Sequence, residues 1–395
     1  MPDTLCPKQN AKKAVIIDDF VGMAEFLRDL CAASGYAAAW YERACDLDPK
    51  AFMDADVLFL DLSLPDTDGV QFMRQLGGLR CPTPIILISG HASCILSAAV
   101  SAGRESGLNV IGSLRKPFSI ADYDALMTTL ECAALHATQP LLTADELQEA
   151  LENNRIEPFF QPKIDLRRLE VCGFEALARI RLEDGRIVLP DQFIPTASEC
   201  GLGNALTDRM LILSLDAWRD WAARGSDWSL AVNIPVSRLA DVQFPDRLEE
   251  LADLWGIDRR QFILEITETE LLDHHSNAMD TLARLGMKRF SLALDDFGTG
   301  FSSLMQLKRL PCVELKIDRS FVADMHRDRH SEVIVRKSIE IGHELGLIVT
   351  AEGIESQDDV DALRAMGCDQ GQGYFISRPE SRQQIATSYI DRFAA

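Results

Sequence analysis

Short apolar segments of strand length alternate with amphipathic segments along most of this sequence. In the first part of the chain the strand candidates are residues 15–17, 57–60, 85–88 and 110–114. Strands that are apolar throughout are typical of a parallel sheet covered on both faces, and the segments between them, such as 23–33 and 70–79, have helical periodicity. The pattern predicts an α/β domain with a doubly wound sheet.

The second part of the chain repeats this alternation with more strands. The candidates are residues 157–161, 171–178, 229–233, 262–267, 290–294, 313–317, 348–351 and 373–376. Eight strands in about 240 residues, mostly separated by helices, are the pattern of a TIM-type (β/α)8 barrel. The segment 165–170 between the first two strands is too short for a crossover helix. We therefore expect a modified barrel with an antiparallel first strand.

A helix-capping pattern marks the start of the second domain. Thr143 and Glu146 have the spacing of a capping box, and Leu147 and Leu151 follow at helical spacing. The Ala-rich segment ahead of them, which contains Pro140, has the composition of a connector. We expect a first domain over residues 10–130, a linker over 131–144 and a second domain over 145–392.

Length and charge limit the classes of function. The 395 residues exceed one ordinary core, and 47% of them are hydrophobic, as in globular proteins. A net charge of −21 argues against broad contact with DNA, RNA or an anionic membrane, because phosphate binding needs clustered Lys and Arg. No apolar run approaches the roughly 18 residues that span a bilayer, and no secretory signal pattern is present, so we expect a cytoplasmic protein. A phosphate substrate would require metal ions to offset the charge.

Polar residues follow four strands of the first domain at the point where each strand ends. They are Asp18 and Asp19, then Asp61, Ser89 and Lys116. The carboxyl ends of the strands in a doubly wound sheet share one crevice, so we expect these side chains to converge. Three neighbouring carboxylates repel each other unless a hard cation lies among them, and Mg²⁺ prefers such ligands. Asp61 would attack a phosphoryl donor and form an aspartyl phosphate.

These residues resemble the receiver domain of two-component response regulators, a flavodoxin-like fold, over about the first 125 residues. The resemblance implies that Asp61 is the phosphoacceptor and that the backbone of Ser63 completes a Mg²⁺ site. It also implies a sensor histidine kinase or a phosphotransfer protein as the partner. Ser113 stands where the family usually has Tyr or Phe, so the usual aromatic switch is missing while the phosphorylation chemistry is kept. The other pocket residues would be Asp18, Asp19, Ser89 and Lys116.

The predicted barrel carries an acidic set of residues near the carboxyl ends of its strands, where barrel enzymes place their chemistry. A ring of carboxylates with one amide is a poor core and a good cage for Mg²⁺ or Mn²⁺. On the residues alone, another metal-assisted reaction in a barrel enzyme remains open. The ring consists of Glu175, Asn233, Glu265, Asp295, Asp296 and Glu352, with Gln161, Arg179, Lys316, Asp318 and Gln372 in the same rim.

Two of these acids are adjacent. Neighbours on a strand face opposite sides, so Asp295 and Asp296 can both reach the site only where their strand ends. The sequence FGTG at 297–300 follows at once and supplies a flexible ending. Two adjacent acids at a strand end are suited to flank a pair of metals about 4 Å apart, as in two-metal phosphoester hydrolysis.

Seven sequence motifs resemble those of the EAL-domain family of cyclic-di-GMP phosphodiesterases, over about residues 145–392. The naming motif is Glu175-Ala176-Leu177. One three-residue motif carries little weight, but seven motifs in the family order are specific. The other six are FQP at 160–162, EITE at 265–268, DDFGTG at 295–300, LKIDRSF at 315–321, AEGIE at 351–355 and QGY at 372–374.

The resemblance implies the reaction and the role of each residue. Cyclic-di-GMP would be opened to linear pGpG by attack of water, assisted by two Mg²⁺ or Mn²⁺ ions. The catalytic residues would be Glu352 as base, Lys316 to orient the water, and Glu175. The metal ligands would be Glu175, Asn233, Glu265, Asp295 and Asp296. The substrate contacts would be Gln161, Arg179, Asp318, Glu355 and Gln372, and the loop that couples the site to a subunit interface would include Glu268, Phe297, Gly298, Thr299 and Gly300.

Three functions of different classes remain open. The first is an active hydrolase controlled by phosphorylation of the receiver domain. The second is an inactive sensor that only binds cyclic-di-GMP, and the third is an interaction protein whose receiver domain docks a partner. The hydrolase is favoured because an inactive relative should lack metal ligands or Lys316, and this chain has them all. Relatives commonly pair, so we expect a homo-oligomer, a dimer or higher.

Overall fold

The computed structural model describes residues 12–46, 52–91, 93–137, 141–223, 227–268, 277–299 and 307–390. The chain folds into two compact units, Met1–Gln139 and Pro140–Ala395. Among the described residues, no helix is long and apolar enough to cross a membrane.

The described part of the first unit contains one parallel sheet of five strands with helices between them. The strands are β1 (Lys12–Ile17), β2 (Tyr36–Tyr41), β3 (Val57–Asp61), β4 (Ile85–Ser89) and β5 (Val110–Arg115). The helices are α1 (Val21–Ala33), α2 (Gly69–Gly78), α3 (Ser93–Glu105) and α4 (Ile120–Ala137), and a 3₁₀ turn lies at Ala44–Asp46. The strand order is β2-β1-β3-β4-β5, which is the doubly wound order predicted from the sequence.

Successive residues of these strands enter two different apolar cores. Val15 and Ile17 of β1 pack in the core on one face of the sheet, and Ala14 and Ile16 pack in the core on the other face. β3, β4 and the second part of β1 are therefore buried on both faces, which explains why these segments are apolar. β2 was missed in the sequence analysis because its sequence, YAAAWY, carries three alanines instead of branched residues.

The second unit is a closed barrel. Its described strands are β6 (Ile156–Asp165), β7 (Glu170–Arg181), β8 (Ile187–Val188), β9 (Ser229–Asn233), β10 (Phe262–Thr267), β11 (Ser291–Phe297), β12 (Glu314–Ile317), β13 (Ile348–Ala351), β14 (Gln370–Gly371) and β15 (Glu380–Ser381). Eight of these described strands, β6, β7 and β9 to β14, close the barrel, since β14 pairs with β6. β6 runs antiparallel to β7 and to β14, as predicted, and the remaining pairs along the closed ring are parallel.

Helices surround the barrel and pack against its strands around a large apolar core and a smaller second one. They are α5 (Ala144–Glu152), α6 (Ile194–Glu199), α7 (Gly203–Ala222), α8 (Val236–Leu239), α9 (Phe244–Trp255), α10 (Asn277–Met287), α11 (Arg319–Asp324), α12 (Arg329–Glu344), α13 (Gln357–Met366) and α14 (Arg382–Ile385). A 3₁₀ turn lies at Pro190–Gln192 and a π-helical turn at Ala386–Ile390.

The structure confirms one local prediction from the sequence and corrects another. The capping box predicted at the start of α5 is present, since the Thr143 hydroxyl accepts from the Glu146 backbone N–H and Glu146 accepts from the Thr143 backbone N–H. The strand predicted at 373–376 is wrong. The eighth barrel strand is β14, which ends at Gly371, and the chain then turns with Tyr374 and Phe375 exposed instead of packed.

Candidate active site

The barrel strands bring most of the predicted site residues to one end, where the parallel strands terminate. A cleft of about 540 Å³ opens there. Its lining includes the predicted residues Gln161, Glu175, Asp295, Asp296, Thr299, Asp318, Glu352, Glu355 and Gln372. Asn233, Glu265 and Lys316 lie on β9, β10 and β12 beside them.

Lys316 lies at the centre of the site and is fully buried. Its Nζ is 2.6 Å from Oε1 of Glu352, 2.9 Å from Oε2 of Glu265 and 3.1 Å from Oδ2 of Asp295. Oε2 of Glu175 is 3.5 Å away. Burial alone would lower the pKa of this lysine, but the carboxylates around it, led by Asp295, raise it well above its usual value. One ammonium group therefore faces four carboxylates, and the cluster carries excess negative charge.

Two amide side chains hold the carboxylate of Glu175. Nδ2 of Asn233 donates to Oε1 over 2.9 Å, and Nε2 of Gln372 donates to Oε2 over 2.7 Å. Gln372 also reaches Oε1 of Gln161 at 3.1 Å. Burial opposes the charge on Glu175, but Lys316 and these hydrogen bonds keep its pKa below the ordinary value. Glu175 is therefore held as an oriented, ionised carboxylate.

Glu265 and Glu352 have the opposite character. Burial raises the pKa of Glu265 well above its ordinary value, and the charge of Glu175 raises it further. Neither oxygen of Glu265 receives a well-aligned hydrogen bond from the described residues. Burial is also the main cause that raises the pKa of Glu352 to about 8; Lys316 opposes the shift, and the charges of Asp295 and Glu175 add to it. Burial thus favours the protonated form of both carboxylates although each lies beside the Lys316 ammonium.

The adjacent acids reach the cleft together because β11 becomes irregular at its end. The pairing register shifts between Leu294 and Phe297, and Asp296 adopts a left-handed backbone with φ of 54°. Burial and the charges of Asp295 and Asp318 raise the pKa of Asp296 to about 6. Both acids therefore reach the cleft at the end of their strand, as strand alternation predicts.

These residues fit a divalent cation. Oxygen atoms of Asp295, Asp296 and Glu352 lie within 4.8 Å of one another. Hard cations such as Mg²⁺ and Mn²⁺ take oxygen ligands of this kind. The raised pKa values of Asp296 and Glu352 and the poorly satisfied carboxylate of Glu265 show that additional positive charge would be favourable at this end of the barrel.

The predicted coupling residues lie next to this end of β11. Glu268 is fully buried, and its Oε2 accepts the Gly298 backbone N–H over 3.2 Å. Gly298 has φ of 101°, and a Cβ there would lie 2.9 Å from the Phe321 ring, so the turn requires glycine. Phe297 is buried, and the Thr299 hydroxyl donates to the Asp296 carbonyl. Gly300 lies outside the described residues.

The residues predicted to contact the substrate differ in how they are placed relative to the cleft. Asp318 lines the cleft and also begins α11, where its carboxylate accepts the Ser320 backbone N–H. Arg179 is buried beside the Phe159 ring, and it does not contribute to the cleft lining that the described residues form. Burial lowers the pKa of Arg179, with Tyr374 among the neighbours that oppose the shift.

A second buried lysine, which was not predicted from the sequence, lies below the site. Lys163 lies inside the barrel, with its Nζ 3.1 Å from Glu314 and 3.7 Å from Glu265. The signal that could have revealed it is strand alternation. Lys163 is two residues from Gln161 and Glu314 is two residues from Lys316, so each shares a strand face with a predicted site residue.

The pocket of the first unit also forms. Lys116 Nζ is 2.7 Å from Asp18 and 2.6 Å from Asp61, and the carboxylates of Asp18, Asp19 and Asp61 lie within reach of one cation. Burial raises the pKa of Asp18 against the opposing effect of Lys116. The peptide bond that joins Lys116 to the next residue, a proline, is cis. Ser89 lies at the end of β4, at the same edge of the sheet.

His91 was not singled out from the sequence. Its Nδ1 is 2.7 Å from the Ser89 hydroxyl and 3.4 Å from the Ser63 hydroxyl. Ser63 also donates its backbone N–H to Asp61. The side chain of His91 thus connects the hydroxyl at the end of β4 to the loop after the predicted phosphoacceptor.

Comparison with known proteins identifies the class of both units. Residues 144–379 match the family model of the EAL domain, and residues 14–128 match that of the response regulator receiver domain. The first match covers more than half of the chain, so the protein belongs to the EAL domain family and carries a receiver domain ahead of it. The predicted fold class and the predicted domain combination are thereby confirmed.

Among curated proteins, the chain is similar to the cyclic di-GMP phosphodiesterase RocR of Pseudomonas aeruginosa, with 28% identity over 84% of this chain and 86% of RocR. It is also similar to MucR of the same organism, a bifunctional diguanylate cyclase/cyclic di-GMP phosphodiesterase, with 31% identity over 64% of this chain but only 37% of MucR.

Among solved structures, the PaMucR phosphodiesterase in complex with c-di-GMP matches with a TM-score of 0.58 and 31% identity, over 61% of this chain and 98% of that one. The EAL enzyme Bd1971, in its form bound to cAMP and cyclic-di-GMP, matches with a TM-score of 0.60 and 25% identity, over 75% of this chain and 76% of that one.

Proposed function

We propose that this protein is a cyclic-di-GMP-specific phosphodiesterase that hydrolyses its substrate to linear pGpG by water attack with two Mg²⁺ or Mn²⁺ ions. The observation that carries the proposal is the arrangement around Lys316. A buried ammonium among four carboxylates lies at the active-site end of the barrel in a chain of the EAL family, and two amide side chains hold one of those carboxylates, Glu175.

The two cations would be held by Glu175, Asn233, Glu265, Asp295 and Asp296. The cations would supply the positive charge that stabilises the phosphoryl oxygens and the attacking and leaving oxygens. Asn233 and Gln372 orient Glu175 through the hydrogen bonds described above, so one ligand is preorganised before a cation binds.

Glu352 is the group best suited to accept a proton from the attacking water. A general base is most effective when its pKa lies near the working pH, and burial raises the pKa of Glu352 to about 8. Lys316 Nζ lies 2.6 Å from Glu352 and would orient the water beside it. The water oxygen would bond to phosphorus while its proton passes to Glu352, the bond between phosphorus and the 3′ oxygen would break, and the 3′ oxygen would take up a proton from solvent to give linear pGpG.

The substrate would lie along the cleft, with its phosphates and bases held by the polar lining. The proposed contacts are Gln161, Arg179, Asp318, Glu355 and Gln372. Glu268 and the turn at 297–300 would transmit loop position to the site, since Glu268 accepts a hydrogen bond from the Gly298 backbone.

The receiver domain would regulate this activity. We propose that a sensor histidine kinase or a phosphotransfer protein leads to phosphorylation of Asp61, with Mg²⁺ held in the pocket of Asp18 and Asp61. The functional boundaries would be residues 10–130 for the receiver domain, 131–144 for the linker and 145–392 for the phosphodiesterase domain. We also propose that the protein is cytoplasmic and forms a homo-oligomer.

The test is hydrolysis of cyclic-di-GMP with Mg²⁺ or Mn²⁺ by the full chain and by Glu175→Ala and Glu352→Ala. Glu250→Ala is the control, since Glu250 is an exposed acid on α9 away from the cleft residues. We expect linear pGpG from the wild type and the control, and a loss of at least about a hundredfold in the two site variants. Tight binding without turnover by the wild type would instead assign the protein to the inactive sensors.

A further inference from the structure

Lys163 has no role in the function proposed above, yet it is fully buried inside the barrel. The interior of such a barrel is usually filled with branched aliphatic side chains, and an isolated buried charge there is strongly unfavourable. A lysine in this position therefore requires partners that hold its ammonium group.

Glu314 and Thr350 provide that support. Nζ of Lys163 lies 3.1 Å from Oε1 and 3.3 Å from Oε2 of Glu314, so the ammonium contacts both oxygens. The Thr350 hydroxyl donates to Oε1 of Glu314 over 2.6 Å. All three side chains are buried, which leaves them little freedom to change partners.

The geometry of the strands directs this ammonium group towards the metal site. β6 is antiparallel to its neighbours, so Lys163 lies one layer deeper than Gln161, and Gly173 is its partner on β7. Glu314 lies one layer deeper than Lys316 on β12. Glu265 lies between the two layers, with Oε1 3.7 Å from Lys163 and Oε2 2.9 Å from Lys316.

We propose that Lys163 is a positioning residue of the metal site, which holds the Glu265 carboxylate from inside the barrel so that this carboxylate faces the cations. Lys316 contacts Glu265 from the cleft side and Lys163 contacts it from below, so the two ammonium groups together define its orientation. Glu314 and Thr350 keep the Lys163 ammonium in place. Groups that orient a metal ligand typically change metal affinity or activity by about 10- to 100-fold when they are removed.

This inference rests on the proposed function, because it assigns Lys163 a role towards the cations. The test measures Mn²⁺ binding to the substrate-free full chain by calorimetry, and separately measures kcat and KM for cyclic-di-GMP. Lys163→Met removes the charge and keeps most of the side-chain volume. Because that variant leaves Glu314 buried without its ion-pair partner, a second variant, Lys163→Met with Glu314→Leu, removes both charges.

The double variant distinguishes a positioning role from a merely structural one. If Lys163 only neutralises Glu314, the double variant should bind Mn²⁺ as the wild type does. If Lys163 positions Glu265, the double variant should bind Mn²⁺ at least about tenfold more weakly, with a lower kcat and an unchanged KM. Thr350→Val, which removes only the hydroxyl that supports Glu314, is the control and should change Mn²⁺ affinity less than either Lys163 variant.

The outcomes separate this inference from the proposed function. A wild type that binds Mn²⁺ and hydrolyses cyclic-di-GMP, together with a folded double variant of unchanged Mn²⁺ affinity, would overturn the inference alone. A wild type that neither binds Mn²⁺ nor hydrolyses cyclic-di-GMP would overturn the proposed function.

Discussion

Glu352 links the stability of the protein to pH and to metal. Its pKa is raised from an ordinary value near 4.5 to about 8 in the folded protein. Between those pH values the folded state binds a proton that the unfolded state does not, so this carboxyl group makes the metal-free protein less stable as pH rises through that window. A divalent cation competes with the proton, and its stabilising effect should grow over the same range.

We predict that Mn²⁺ raises the melting temperature more at about pH 8 than at about pH 6. The measurement is a thermal unfolding series of the full chain with and without Mn²⁺. In Glu352→Gln, which cannot ionise, the difference between the two pH values should shrink. An equal or smaller Mn²⁺ effect at the higher pH in the wild type would contradict this account of the site.

Gly373 is fixed by packing. A Cβ at this position would lie 2.1 Å from the carbonyl oxygen and 2.3 Å from the backbone nitrogen of Ile354, so the two backbone segments can approach only because Gly373 has no side chain. We predict that Gly373→Ala lowers the free energy of unfolding by about 1–3 kcal/mol and weakens activity, because Gly373 lines the cleft. Gly203→Ala, with open space around its Cβ position, is the matched control in denaturant unfolding and should be close to neutral.

The cysteines differ in expected reactivity. Burial raises the pKa of Cys172 and of Cys368 to about 12, while Cys200 is exposed. Because the thiolate is the reactive form, native protein should be alkylated at Cys200 long before the two buried residues. Peptide mass spectrometry after brief iodoacetamide treatment measures the order, and early labelling of Cys368 would show that the barrel opens locally.

At the scale of secondary-structure elements, the capping box at the start of α5 is a sequence pattern whose contribution to stability can be measured. Thr143 and Glu146 satisfy each other's backbone N–H groups at the helix start, as the spacing predicts. We predict that Thr143→Ala lowers the free energy of unfolding of the barrel unit by about 1 kcal/mol, while Thr143→Ser, which keeps the hydroxyl, changes it much less. The measurement is the denaturant midpoint of the transition that includes α5, and a neutral alanine variant would contradict the capping role.

The strands were predictable where burial demanded apolar residues. β9, β10 and β13 have the predicted bounds, because each is mainly apolar and a polar residue either ends the strand or directly follows it. The prediction of a strand at 373–376 was wrong because Gly373 packs closely against another part of the backbone. Its backbone approaches Ile354, and the aromatic residues after it lie on the surface instead of in a sheet.

The site residues that face the cleft were predictable from the sequence, but the pair one layer deeper in the barrel was not. Residues near the carboxyl ends of strands, such as Asn233 and Asp295, can be found from sequence because the ends of parallel strands meet. Lys163 and Glu314 could not be paired in the same way. Their contact depends on how far the antiparallel β6 is staggered against β12 across the barrel, and the sequence pattern does not define that stagger.

At the scale of the whole molecule, we expect phosphoryl uptake by the receiver domain and hydrolysis by the barrel to be separable by single substitutions. Lys116 pairs with Asp18 and Asp61 in the receiver domain, and Lys316 pairs with the carboxylates of the barrel. We predict that Asp61→Asn takes up no phosphoryl group from a small acyl-phosphate donor and that its turnover of cyclic-di-GMP does not respond to the donor. Glu352→Gln should show the reverse, with normal phosphoryl uptake and no turnover. Phosphoryl uptake by Asp61→Asn would place the phosphoacceptor elsewhere.

In the proposed function, the acidic cleft directs water to one phosphodiester bond of cyclic-di-GMP. The most direct measurement is hydrolysis in ¹⁸O-labelled water with Mn²⁺, followed by mass spectrometry of the product from the wild type and from Glu352→Gln. The account predicts linear pGpG with one ¹⁸O atom in its terminal phosphate from the wild type, and almost no product from the variant. Cyclic-di-GMP recovered intact from the wild type, or equal labelled product from the variant, would contradict it.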